Sequence, residues 1–168
     1  MFKGTYRYRI DPKGRLPVPA AFRRALRDSS GVVVTLLDQC LAVYPLAEWQ
    51  RLEGQLRALP AFSKPAKALT RRLMSRAADC ALDVQGRILL PPVLRQAVGL
   101  SREAVVVGVL NRFEVWGPLA WDSFLEESEK LLDDVSLDLV WPSPPATSPG
   151  PPAGAVSEPP RPQGKPNR

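Results

Sequence analysis

The first clear period of apolar and polar positions lies in Tyr6-Arg7-Tyr8-Arg9-Ile10, which alternates like a half-buried β-strand. Asp11-Pro12-Lys13-Gly14 then has the composition of a type I turn, with Asp first, Pro at the position whose φ its ring fixes, and Gly last. A second short strand, Arg15 to Val18, follows. Pro19 stands where a helix can begin, because a missing N–H costs nothing in a first turn, and Phe22, Ala25 and Leu26 give that helix an apolar side. Val32-Val33-Val34-Thr35-Leu36 is a β-branched run suited to a buried strand. Asp38-Gln39 turns the chain into Leu41-Ala42-Val43-Tyr44, which Pro45 stops. The pattern predicts a unit of hairpin, short helix, hairpin.

That unit occurs twice. Seventy-two residues after Asp11-Pro12-Lys13-Gly14-Arg15 the chain reads Asp83-Val84-Gln85-Gly86-Arg87, and the offset holds without a gap from Asp11/Asp83 to Trp49/Trp121. Identical pairs include Pro19/Pro91, Arg23/Arg95, Ala25/Ala97, Val33/Val105, Val34/Val106 and Val43/Val115. Leu16/Ile88, Phe22/Leu94 and Tyr44/Trp116 keep their apolar character. Such a repeat is a duplicated structural unit, and two copies are too few for a solenoid. The expectation is a pseudo-twofold pair sharing one core.

Between the repeats, Leu46, Trp49, Leu52, Leu56 and Leu59 recur at helical spacing up to Pro60. A second helix opens at Pro65 and runs through Leu69, Leu73 and Met74. A closing helix, about Pro118 to Leu132, carries Trp121, Phe124, Leu125, Leu131 and Leu132 against a polar side crowded with acids. Ten of the nineteen prolines fall between Pro142 and Pro166, in a stretch with almost no large apolar residue that cannot bury enough surface to fold. The expected organisation is residues 1–52 as the first repeat, 53–78 as linking helices, 79–135 as the second repeat with its closing helix, and 140–168 as a disordered tail.

Charge sharpens this picture. Residues 1–27 hold eight basic side chains against Asp11 alone, whereas residues 122–138 hold seven acids and one lysine. A basic region interleaved with Tyr6 and Tyr8 is the electrostatic footprint of a phosphate-backbone binder, or else a solvated face. The acidic closing helix could pair head to tail with the basic start of another copy. No run approaches the ~20 apolar residues of a membrane helix, and Met1-Phe2-Lys3-Gly4 leads directly into a strand, so neither a membrane span nor a signal peptide is expected. Two cysteines, Cys40 and Cys80, give no disulfide framework and fit a cytoplasmic protein.

Catalytic chemistry is poorly provided for. The chain has no histidine, which removes Ser-His-Asp and Cys-His catalysis and every His-containing zinc site. No phosphate-binding GxxxxGK[ST] or GxGxxG motif is present. Asp11 and Asp83 could be imagined as an acid/base pair, but each opens a turn and has Arg four residues on, which favours a structural role. No catalytic residue, metal or cofactor is therefore expected. Arg15 and Arg87 remain open between two readings. Each pins its own turn by pairing with its Asp, or each projects into a DNA groove and forks onto guanine O6 and N7.

The doubled Asp-x-x-Gly-Arg turn, with Pro four residues after the Arg, resembles the tandem SpoVT/AbrB-type half-motifs of the MraZ family. Met1-Phe2-Lys3-Gly4, the stretch from Cys40 to Trp49, Val106 to Val109 and Phe113 to Trp116 carry the resemblance further, so that it covers residues 1 to about 132. It implies an α+β, mainly β fold in which two AbrB-like swapped-hairpin half-motifs form one DNA-binding unit. It also implies a bacterial transcriptional regulator of the division and cell-wall gene cluster. Such a protein binds direct repeats upstream of its own gene, assembles into a ring of copies, and here is expected to be an autorepressor associated with the nucleoid.

The resemblance assigns DNA binding to the turn arginines Arg15 and Arg87, and Lys13, Gln85, Asp11, Gly14, Asp83 and Gly86 match the same turns. Lys13, Arg15, Gln85 and Arg87 are thus expected to read base edges. Arg7, Arg9, Arg23 and Arg95 would contact phosphates or hold their helices in place. One departure is Pro19-Ala20-Ala21-Phe22-Arg23, which lacks the lysine common in the family, so a phosphate contact there would fall to Arg23 or Arg24. The alternative is an antitoxin-like or other protein-interaction module that uses the AbrB-like fold and the proline-rich tail.

Overall fold

The computed structural model describes residues 1–134 except Asp28 and Ser30, so the proline-rich tail at 140–168 lies outside the described residues. In chain order the elements are β1 (Phe2–Arg9), β2 (Arg15–Pro17), α1 (Ala20–Ala25), β3 (Val32–Leu37), β4 (Cys40–Pro45), α2 (Leu46–Arg57) and α3 (Lys64–Met74). They continue with β5 (Ala78–Cys80), β6 (Arg87–Leu89), α4 (Pro92–Ala97), β7 (Glu103–Leu110), β8 (Arg112–Trp116) and α5 (Pro118–Asp134). Residues Met1–Leu131 form one compact unit.

Six strands make one antiparallel sheet in the order β1-β7-β8-β4-β3-β5, and β2 with β6 makes a separate two-stranded ribbon. Exchanging each strand for its repeat partner (β1 with β5, β3 with β7, β4 with β8) returns the same order reversed. That is the pseudo-twofold expected from the repeat, with its axis between β4 and β8. The registers agree as well, since Tyr8 faces Ala104 where Cys80 faces Val32.

The fold departs from the local reading at one point. β1 and β2 do not pair as a hairpin: β1 lies against β7 and β2 against β6, both from the other repeat. Asp11 N–H to Arg15 C=O, 3.0 Å, bridges the turn between them, as Asp83 N–H to Arg87 C=O, 2.8 Å, does in the second copy. The exchange follows from burial. Leu16 and Ile88 face each other across the ribbon with no exposure, so the exchanged pairing buries the equivalent residue of each repeat against the other.

The sheet is covered on both faces, which explains the unbroken valine runs of β3 and β7. On one side Phe2, Ile10, Leu16, Val18, Phe22, Val34, Ile88, Leu94, Val106 and Phe113 form the main core under the ribbon and helices α1 and α4. Phe22 is its hub, with ring centroids 5.2 Å from Phe2, 5.3 Å from Tyr6 and 5.4 Å from Phe113. On the other side α2 covers Val33 and Tyr44 with Trp49, while α5 covers Val105 and Trp116 with Trp121, again repeat partners. Among the described residues the two buried polar side chains are satisfied. Thr35 Oγ1 donates to Leu73 C=O at 2.8 Å, and Glu114 accepts from Arg112 and, at 3.1 Å, from Trp116 Nε1. Cys40 is buried and Cys80 half-buried, both as free thiols, and burial pushes both up from their ordinary pKa.

Candidate nucleic-acid interface

Each Asp-x-x-Gly-Arg segment builds the same turn from its own atoms. Asp11 accepts at Oδ1 from Lys13 N–H and Arg15 N–H, both at 2.9 Å, and at Oδ2 from Arg15 Nε. Asp83 accepts from Gln85 N–H and Arg87 N–H, both at 2.9 Å, and from Arg87 Nε at 2.8 Å. Gly14 N–H and Gly86 N–H close the turns onto Asp11 C=O and Asp83 C=O at 2.8 Å. Both glycines take a left-handed φ, +87° and +73°, which a side chain would strain. The carboxylates are therefore the organising groups, and Pro12-Lys13 and Val84-Gln85 are left exposed at the tips.

These bonds favour the charged carboxylates. Backbone donation from Arg15 holds Asp11 below its ordinary pKa of 3.8, and the side chain of Arg87 does the same for Asp83. A lowered folded-state pKa contributes stability that is present above the unfolded value and lost as pH falls through the folded one. Thermal midpoints of the wild type should thus drop more steeply between about pH 5 and pH 2 than those of an Asp11→Asn, Asp83→Asn double variant. Equal slopes would mean that the turns do not depend on the charge.

The ribbon brings the two turns together. Val18 N–H donates to Gly86 C=O and Leu90 N–H to Gly14 C=O, both at 3.0 Å, so each turn is bonded to the strand end of the other repeat. Arg87 lies between the two acids, with Nη2 2.7 Å from Asp83 Oδ2 and Nη1 3.7 Å from Asp11 Oδ2. Arg23 and Arg95 also cross over. A Cβ built on Gly86 would lie 2.2 Å from Arg23 Cδ, and one built on Gly14 would lie 2.9 Å from the Arg95 guanidinium carbon. Arg23 Nη1 donates to Gln85 C=O and Arg95 Nε to Leu90 C=O, each at 3.3 Å.

Of the side chains singled out from the sequence, Arg15, Arg87, Arg23 and Arg95 thus meet the turns of Asp11, Gly14, Asp83 and Gly86, while Lys13 and Gln85 stand exposed at the tips. Arg7 and Arg9 stand apart on the edge strand β1, where Arg7 meets Asp122 at 3.0 Å and Arg9 meets Glu103 at 3.7 Å. Both pairs are exposed, so each holds its arginine by no more than about 1 kcal/mol. Sequence reasoning missed Arg102, which with Arg9 and Arg95 lines a groove of about 1190 Å³ beside the first turn. Its repeat partner is Ser30, so the repeat gave no signal for it. The acid-base complement between α5 and the chain start is used, in part, within the chain by Arg7 and Asp122.

Comparison with known proteins adds an independent line. A family model described as "MraZ protein, putative antitoxin-like" matches twice, over residues 1–72 and 73–137. The chain is 46% identical over 140 residues to the transcriptional regulator MraZ of Ligilactobacillus salivarius, covering 83% of this chain and 97% of the relative. The regulators of the same name from Natranaerobius thermophilus and Pediococcus pentosaceus are 41% and 43% identical over the same shares of both chains.

Proposed function

The chain belongs to the MraZ family, and from that premise we propose that it is a transcriptional regulator binding direct repeats of double-stranded DNA upstream of its own gene, with autorepression as its output. The observation that carries this reading is the pair of turns set at the two ends of the short antiparallel ribbon, with Lys13 and Gln85 exposed at their tips. A major groove admits a two-stranded β-ribbon as it does a helix. Lysine suits guanine acceptors and glutamine pairs with adenine through N6 and N7, so the tips offer two different base contacts. Arg15 and Arg87 stiffen the turns through Asp11 and Asp83 and, still about a third and a fifth exposed, turn their remaining N–H groups to the DNA. Arg7 and Arg9 exchange their weak acidic partners for phosphates, which ties the protein to the nucleoid.

One such unit is small, and affinity for spaced repeats then comes from assembly of several copies through effective concentration. Exposed apolar side chains support self-association: Phe62 at the turn between α2 and α3, and Leu119, Phe124 and Leu131 on α5. Among the described residues no helix is long and apolar enough to cross a membrane. An antitoxin-like role as a protein-interaction module is the competing reading.

The test is an anisotropy titration at several salt concentrations, on DNA from upstream of the gene and on a scrambled copy. Preference for the native repeats, with a slope near −0.9 per phosphate neutralised, is expected. Equal binding of both DNAs, together with a stoichiometric protein partner in pull-downs, would replace the regulator reading with the interaction module.

A further inference from the structure

Resting on the reading that the two turns contact bases, we propose that Arg23 and Arg95 are positioning residues that act crosswise. Arg23 of the first repeat sets the turn of the second, and Arg95 of the second sets the turn of the first. Arg23 lies on α1, yet its side chain packs over Gly86 and its Nη1 bonds the carbonyl of Gln85, the tip residue itself. Gln85 is thereby held through both of its peptide groups, since its N–H is already bonded to Asp83 Oδ1. Arg95 on α4 covers Gly14 and donates to Leu90 C=O, and Leu90 N–H is the group bonded to Gly14 C=O. Its guanidinium packs directly on Gly14 but its hydrogen bond reaches the first turn only through Leu90, so its hold on Lys13 is the looser of the two.

The glycines make the arrangement possible. Only a residue without Cβ leaves room for a guanidinium this close to the turn, and Gly14 and Gly86 do so at both equivalent places. A planar guanidinium with a directed donor fixes a peptide as a flexible ammonium does not. Base discrimination by each repeat therefore depends on a side chain of the other, and neither repeat is a reading head by itself.

Thermodynamic cycles on full-length protein decide this. Wild type, Arg23→Ala, Gln85→Ala, Lys13→Ala and the two double variants carrying Arg23→Ala would be titrated against sites with one base pair changed at a time. Arg23→Ala should flatten discrimination by about tenfold at the base pairs that Gln85→Ala affects. It should add little to Gln85→Ala and add fully to Lys13→Ala, because contacting groups couple and separate ones do not. The salt slope should stay at its wild-type value, and Arg23→Lys should behave like Arg23→Ala.

A slope reduced by about 0.9 with uniform loss over all sites would make Arg23 a phosphate contact and overturn the proposal. So would coupling to Lys13 in place of Gln85, or rescue by lysine. A wild type without any discrimination between sites would instead remove the base-reading premise, and this inference with it.

Discussion

Gly108→Ala is expected to destabilise the folded chain by about 1–3 kcal/mol, the range for forcing an extra methyl into a packed site. A Cβ there would lie 2.3 Å from Lys3 N, 2.6 Å from Lys3 Cα and 2.6 Å from Phe2 C. All three are atoms of the facing strand, so no side chain can swing aside to make room. Gly108 pairs with Gly4, itself at φ +96°, and the two glycines let β1 approach β7 this closely. The alternative to overpacking is to peel β1 away, which exposes Phe2, now 3% exposed in the core, at a cost of about 1.5–3 kcal/mol. Either route disturbs the strand that runs directly into the first turn. Chemical denaturation of wild type and variant should give a lower midpoint, and hydrogen exchange should show β1 opening first. An unchanged midpoint would mean that β1 adjusts without loss.

Arg87→Ala should weaken binding to the native repeats by about 5- to 150-fold, corresponding to the 1–3 kcal/mol of one good contact, and by more than Arg15→Ala does. The inequality comes from the ion pairs. Arg87 approaches both Asp83 and Asp11, whereas among the described residues the acidic partner of Arg15 is Asp11 alone. Losing the Arg87 side chain takes from Asp83 its ion-pair partner among the described residues and from Asp11 a neighbour, and both carboxylates then repel the phosphates of incoming DNA. Losing Arg15 leaves Asp11 still facing Arg87. Adding Asp83→Asn to Arg87→Ala should therefore recover part of the loss, which anisotropy titration at constant salt would read. Equal losses for the two arginines, with no recovery, would mean that the cross-repeat pair has no part in binding.

The direct repeat proposed as the target has a polarity, whereas the folded unit is pseudo-symmetric. The ribbon carries a turn of the same hydrogen-bond pattern at each of its ends, but their tips differ, Lys13 against Gln85. Arg102 beside the first turn has Ser30 as its counterpart, and Arg9 has Ala81. Equal scaffolds with unequal side chains suit a target without twofold symmetry.

The amino-acid sequence determined the elements and the turns. The carboxylate hydrogen bonds of Asp11 and Asp83 stay within their own four succeeding residues, so the turn geometry is a local matter that Asp-x-x-Gly-Arg specifies. The seventy-two-residue offset likewise determined that the two halves would be equivalent, and the valine runs that β3 and β7 would be buried on both faces. Tertiary structure decided which strand lies beside which. Hydrophobic alternation marks the face of a strand that is buried but carries no address for its neighbour, and the runs Val32-Val33-Val34 and Val105-Val106-Val107 offer β1 equivalent partners. The exchange of β1 and β2 onto the other repeat sends Arg23 sixty-two residues along the chain to Gln85 and sets Arg87 against Asp11. Those contacts exist only once non-local strand pairing has closed, which is why a charged side chain's role was the least readable feature of the chain.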